Sequence, residues 1–196
     1  MAWPCPGFAA VRGHFFRTGC DEGILLTDFS KYPVFHLHIG ECFLSKEPTL
    51  VCTVLGSCVA VSFFQPAIPL GGIFHALLPD AAGHDGEAIS RQPCRFVNQS
   101  IQQILSVVER QGGRRKDIQI KVFGGAELFG FTGGKNSTAN SVGRKNVQMA
   151  IMELEHAGLR IMASDVGGQL GRKLYFLSHT GEVWVKRIKR SLLSGR

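Results

Sequence analysis

"TVLGSCVAVSFFQPAIPLGGIFHALLP", residues 53–79, lies within a stretch from Pro48 to Pro79 that contains no Asp, Glu, Lys or Arg. How this stretch is read decides the fold. A membrane-spanning helix needs about 20 predominantly apolar residues in one run. Here "QPAIP" interrupts the run with Pro66 and Pro69, and Gly56, Gly71 and Gly72 oppose helix further. Two shorter pieces remain, Leu50 to Phe64 and Leu70 to Leu78, both rich in Val, Ile, Phe and Leu. Apolar β-formers bounded by turn residues read as strands buried on both faces. Membrane insertion is therefore rejected, and a hairpin closing through the proline turn is expected.

The hairpin brings two chemical residues together. If residue 63 or 64 faces Leu70, then Cys58 faces His75 or its neighbour Ala76. Directly opposed residues in antiparallel strands have Cβ atoms about 4.5–5.5 Å apart. A slip of one residue would send the two side chains to opposite faces. At that distance an imidazole can take the thiol proton, and the thiolate is the nucleophile. The same imidazole can return the proton to a leaving amine. Gly56 and Ser57, just before the cysteine, let the backbone approach a substrate, and amides near Ser57 and Cys58 can stabilise a tetrahedral oxyanion. Against this stands the plain alternative that a buried free Cys is packing and a strand His is simply hydrogen-bonded. A His-paired Cys58 is expected to alkylate at lower pH than Cys5 or Cys20.

Length and charge bound the rest. The 196 residues suit one domain. The expected division is an irregular extension over residues 1–30, a domain over 31–190 and a basic tail over 191–196. The net charge of +7 is concentrated near the C-terminus, where Arg172, Lys173, Lys186, Arg187, Lys189, Arg190 and Arg196 meet one acid, Glu182. No stripe of stacking aromatics accompanies those charges, so nucleic acid is not an expected partner. None of the six cysteines forms a C-x-x-C pair, which leaves zinc ribbons and thioredoxin-type redox motifs unsupported. The N-terminus lacks a secretory signal, so reduced cysteines are expected. His36 and His38 share one strand face, but no further ligand spacing joins them, and neither metal nor cofactor is expected.

Beyond the hairpin the chain reads as mixed α and β. "FHLHIGECFLSKEP" predicts a strand, a turn and a short second strand. Phe96, Val97, Ile101, Ile104, Leu105 and Val108 line one face of a helix that Gly112 and Gly113 can end. Ile118 to Phe123 is a strand, and Gly130 to Ser141 a polar loop. A second helix follows, capped by Asn140 or Ser141, with Val147, Ala150, Ile151, Leu154 and Ala157 as its buried stripe and Gly158 as its stop. "LRIMASD" is a strand, and "KLYFLSHTGEVWVKRI" a closing hairpin turning at Thr180-Gly181.

The series "GECFLSKEP", "TVLGSCVAV", "GGIFHALLP", "FGGAELF", "VGRKNV", "SDVGGQLGRKLYF" and "TGEVWVK" resembles the CheD family of chemoreceptor glutamine deamidases, from about His38 to Lys186. The resemblance implies an α+β fold of two packed mixed β-sheets flanked by helices, like a toxin-deamidase-type cysteine hydrolase. It implies cytoplasmic hydrolysis of glutamine side chains in methyl-accepting chemotaxis receptors to glutamate and ammonia. By carry-over Cys58 is the nucleophile and His75 the base. A CheC-type phosphatase is an implied second partner. The family's orienting Thr falls six residues before the nucleophile, at Cys52, with Thr53 beside it. Cys is a poor substitute for a hydroxyl; Thr53 points away in a regular strand, whereas a bulge would rotate it inward, so the third role is open between Cys52, Thr53 and a backbone carbonyl. Asp165 is left open, and Gly167 and Gly168 are read as turn-builders. The reading from another class is a non-catalytic adaptor that binds a CheC-type phosphatase or receptor helices, with Cys58 as core packing.

Overall fold

The computed structural model describes residues 28–82, 84, 92, 94–127 and 141–188. Most of the expected N-terminal extension, the polar loop, Cys5, Cys20 and the basic tail lie outside the described residues.

The charge-free stretch does not form one hairpin. It forms three strands, β3 (Leu50–Leu55), β4 (Val59–Gln65) and β5 (Leu70–Ala76). Gly56, Ser57 and Cys58 break the first apolar piece in two. The reason is the sheet each half joins: β3 pairs with β1 (Val34–His36) and β8 (Arg172–Leu177), whereas β4 pairs with β5 and β6 (Gln119–Gly124). The chain thus steps from one sheet to the other at the Gly-Ser dipeptide.

Two mixed sheets result. One has the order β1-β3-β8-β9, and the other the order β2-β5-β4-β6-β7. Here β2 is Cys42–Ser45, β7 is Ile161–Val166 and β9 is Val183–Arg187. Each sheet contains one parallel pair, β1 with β3 and β6 with β7. Val51, Leu55, Leu174 and Phe176 of the first sheet pack against Ala60, Ile73 and Phe123 of the second. The second sheet turns its other face, including Val59, Val61, Phe63, Phe74 and Val122, toward α1 (Val97–Arg110) and α2 (Val142–His156). The fold is therefore α+β in three layers: sheet, sheet, helices. Because β4 and β5 are covered on both faces, their sequences show no polar alternation.

The helices follow local rules. Val97, Ser100, Ile101, Ile104, Leu105 and Val108 bury one side of α1, and Gly112 at φ +88° follows its end. Left-handed backbone at that place favours glycine. Ser141 caps α2 by accepting from the Arg144 amide. The buried side of α2 is Gly143, Asn146, Ala150 and Leu154, rotated from the expected stripe toward its glycine and asparagine. Val147 and Ala157 are only partly buried beside it.

Two expectations about the ends and the cysteines meet the structure. Asp28 caps a short turn at Phe29–Lys31, and Phe29 packs edge-on to Trp184 at 4.9 Å between ring centroids. The last residues of the expected extension are thus fastened to the outer face of the first sheet. The expectation of reduced cysteines is corrected at one pair: Cys42 and Cys94 are joined as a disulfide, with Cα atoms 5.8 Å apart. That spacing lies in the bridging range, which β2 and the segment leading into α1 provide by running side by side. Cys52 and Cys58 are buried and outside that disulfide.

At one end the two sheets meet backbone to backbone. A Cβ on Gly71 of β5 would stand 2.0 Å from the Ser178 carbonyl oxygen just past β8. No side chain fits there without prising the sheets apart. Gly71→Ala is expected to lower stability by about 3 kcal/mol, the upper range of overpacking costs. Denaturant unfolding checks this, and a stability equal to wild type would show that the sheets separate easily.

Candidate active site

The step between sheets explains how three side chains converge. On β3, Val51 and Leu55 face the space between the sheets, so Thr53, midway between them, faces it too. On β5, Ile73 faces the same space, and His75 follows it by two. Cys58 lies in that same cluster with Ala60. The hairpin register differs from the one expected. Gln65 pairs with Leu70, which places Ala60 opposite His75. Cys58 is therefore not directly opposite His75. It sits one step along the same face, a diagonal neighbour at about 7–8 Å between Cα atoms by ordinary sheet geometry. The four-residue turn from Pro66 to Pro69 sets this offset.

Hydrogen bonds define the state of the imidazole. The Thr53 hydroxyl donates to the Leu37 carbonyl at 2.8 Å, and the same oxygen lies 2.8 Å from His75 Nδ1. A hydroxyl has one proton. With that proton on Leu37, Thr53 accepts from Nδ1–H, and the lone pair falls on Nε2. Nε2 is buried and meets no hydrogen-bond partner among the described residues. The ring is further held through its backbone: the His75 N–H donates to Glu41 O and its carbonyl accepts from Gly40 N–H. Thr53 thus faces the imidazole, one of the alternatives the sequence left open. Parity along one strand does not apply, because β3 ends at Leu55 and Cys58 lies in the link before β4. Thr53 reaches His75 from five residues before Cys58 rather than six. Cys52 is on the opposite face of β3, the side on which Val54 is 55% exposed, and does not join the site.

Burial governs the electrostatics. His75 is pushed down to about 4 by desolvation, with the Leu37 carbonyl opposing the shift and nearby His38 adding to it. Burial pushes the Cys58 thiol up, and its own main chain opposes this in part. Both residues are therefore neutral at neutral pH. The site holds a thiol and an imidazole rather than an ion pair. Early alkylation of Cys58 is not what this environment provides, because desolvation disfavours thiolate more strongly than the local N–H favours it.

A backbone cradle holds the Gly-Ser-Cys step. Gly56 O accepts from Ala126 N–H, and Cys58 O accepts from Gly125 N–H. Gly124 has φ +109°, and a Cβ there would lie 2.1 Å from Cys58 O. Ser57 O accepts from the side chain of Asn146 at 3.1 Å. Among the described residues, no hydrogen bond uses the N–H of Ser57 or Cys58. Arg172, fully buried, binds Gly124 O and Gly167 O at 2.7 Å each and pairs with Asp165 at 3.0 Å. Asp165 also pairs with Arg187 at 2.8 Å, so it serves this brace. Gly167 and Gly168, at φ +70° and +72°, turn the chain over it. Asn146 and Arg172 were not singled out from the sequence, because a polar residue in a helix and a basic residue in a strand read as solvent-facing. Among the described residues, no cluster of three or more His, Cys, Asp or Glu is arranged to hold a metal. No described helix is long and apolar enough to cross a membrane.

The low basicity of His75 has a stability signature. Its ordinary value is 6.5, and in the fold it falls to about 4. Between those values the unfolded chain holds more protons, so stability falls as pH falls through the window and is unaffected above it. The slope contributed is at most about 1.4 kcal/mol per pH unit. Denaturant midpoints are expected to drop from neutral pH to about pH 5 in wild type and to drop less in His75→Gln. Equal slopes would contradict a buried neutral imidazole.

The chain resembles known proteins in sequence. Residues 77–187 match the family described as CheD chemotactic sensory transduction, a segment that holds Asn146, Asp165 and Arg172 and begins after His75. Among curated relatives, the probable chemoreceptor glutamine deamidase CheD of Maridesulfovibrio salexigens is 41% identical, covering 80% of this chain and 92% of that protein. CheD 2 of Geobacter sulfurreducens, described in the same words, is 40% identical over 82% of this chain and 94% of its own. The Pyrococcus horikoshii protein of that name is 35% identical, covering 76% and 90%. Among solved structures, YlmD from Geobacillus stearothermophilus is 16% identical with a TM-score of 0.43, covering 70% of this chain and 60% of that one. On the family match and the curated relatives, the chain belongs to the CheD family.

Proposed function

We propose that this protein hydrolyses glutamine side-chain amides of methyl-accepting chemotaxis receptors in the cytoplasm, with Cys58 as nucleophile, His75 as base and Thr53 as the residue that orients His75. The observation that carries the proposal is the Thr53–His75 contact at 2.8 Å with the Thr53 proton committed to Leu37. It leaves Nε2 as an acceptor in the same inter-sheet space as Cys58. A CheC-type phosphatase is a further partner that family membership suggests.

The steps follow from the neutral pair. As the glutamine amide enters, Nε2 takes the Cys58 proton while sulfur attacks the amide carbon. The C=O electrons move to oxygen, and the main-chain amide of Cys58 binds the oxyanion. The tetrahedral adduct collapses, the C–N bond breaks, and the imidazolium proton leaves on ammonia. The product is a thioester. Water then loses its proton to Nε2, attacks the thioester carbon and releases glutamate, and the thiol recovers its proton. No charge is held in the resting site, so no cost of maintaining a buried ion pair precedes catalysis. The imidazole becomes cationic only while an anionic adduct stands beside it.

Two substitutions test this. Incubation with receptor cytoplasmic fragments, followed by ammonia release and amide-to-acid conversion in mass spectra, is expected to show turnover in wild type and none in folded Cys58→Ala. Conversion by both proteins at one rate would remove the enzymatic reading. Thr53→Val keeps the shape and removes the oxygen. It is expected to lower kcat about tenfold, the loss of roughly one orienting hydrogen bond. Unchanged kcat in this variant would mean that packing alone holds the ring.

A further inference from the structure

One buried polar side chain has no part in the steps above. Asn146 lies on the covered side of α2 and is fully buried. Its Nδ2 donates to Ser57 O at 3.1 Å and to Leu77 O at 2.9 Å. Both neighbours are main-chain acceptors, so the orientation of the amide is dictated: the nitrogen must face them. Its Oδ1 is buried without a partner among the described residues. An uncompensated buried carbonyl oxygen is a net cost to folding. A residue chosen for packing alone would not carry it.

The two carbonyls are not ordinary places in the chain. Ser57 immediately precedes Cys58, and Leu77 follows His75 by two residues. The β4–β5 ladder ends at Val59 and Ala76. The next pair in that register would be Cys58 with Leu77, but the Leu77 N–H has left the ladder to donate to Arg95 O. Asn146 supplies donors where the ladder stops. One amide therefore ties the end of the cysteine strand to the end of the histidine strand.

The bond to Ser57 does more. A peptide unit is planar, and in the trans form its C=O and N–H point opposite ways. Turning Ser57 O toward α2 turns the Cys58 N–H away from the helix and toward the space between the sheets. No backbone acceptor among the described residues takes the Cys58 N–H, and an oxyanion formed by attack of the sulfur of the same residue would lie close to it.

We infer that Asn146 is a positioning residue of the deamidation reaction: by holding the Ser57 and Leu77 carbonyls it aims the Cys58 amide at the developing oxyanion. This rests on the proposed function. It concerns a group that never touches substrate, and its effect falls on the transition state more than on binding.

Asn146→Asp tests it, since the shape is kept while both donors become an acceptor facing two carbonyls. Asn146→Ser, uncharged and able to donate once, runs beside it, so that a folding failure of the aspartate variant leaves the comparison intact. Thermal melts select the folded variants. Two rates are measured. The first is kcat and KM for receptor deamidation. The second is the limiting rate of Cys58 alkylation by iodoacetamide at high pH, which forms a carbon–sulfur bond without any oxyanion. The expected result is a kcat lowered about 10- to 100-fold, below the loss seen when an oxyanion donor is removed outright. KM and the limiting alkylation rate are expected to match wild type. A kcat equal to wild type overturns the inference. A kcat and an alkylation rate that fall in step also overturn it, because they would mean a site that has merely collapsed. Failure of the underlying reading looks different: Cys58→Ala would then deamidate as fast as wild type.

Discussion

A single hydroxyl joins the two sheets at the place where they matter most to one another. Thr53 comes from the four-stranded sheet, His75 from the five-stranded one, and their contact spans the space between layers. Neither sheet alone contains the arrangement. The imidazole's proton is fixed by an oxygen whose own proton is fixed by Leu37, so the direction of the free lone pair is a property of the packed sandwich. That makes the inter-sheet core, with Leu55, Ile73, Phe123 and Leu174, part of the chemistry in a concrete sense. Its packing sets the distance over which the hydroxyl and the ring must meet.

Burial then decides which protonation states are present. In water a thiol and an imidazole have only a modest gap in affinity for the proton. Taken out of water they move apart, since each loses solvation for its charged form. The pair thus rests neutral, and the transfer of the proton is deferred until another polar group arrives. The carbonyls of the backbone cradle around Gly56 and Cys58 are occupied by Ala126, Gly125 and Asn146.

Much of this was legible in the residues. The proline turn in "QPAIP" excluded a membrane helix, and the β-formers on either side of it are strands. The stripe from Val97 to Val108 is the buried face of α1, and Ser141 caps α2. What escaped has a common physical origin. Apolar runs have no internal marker for a change of sheet, so the break at Gly56 and Ser57 looked like a feature of one strand, and a parity argument could not decide the side of Thr53. A hairpin register depends on how many residues the turn absorbs, which pattern alone does not state. Asn146 bonds the distant main-chain carbonyls of Ser57 and Leu77, and Arg172 the distant carbonyl of Gly124. No local periodicity points to such partners.

The neutral resting thiol also bears on chemical durability. Peroxide attacks thiolate, and susceptibility follows both ionisation and exposure. Cys58 is only 6% exposed, and its burial favours the protonated form. A thiol kept this way is sheltered from oxidants by both burial and protonation.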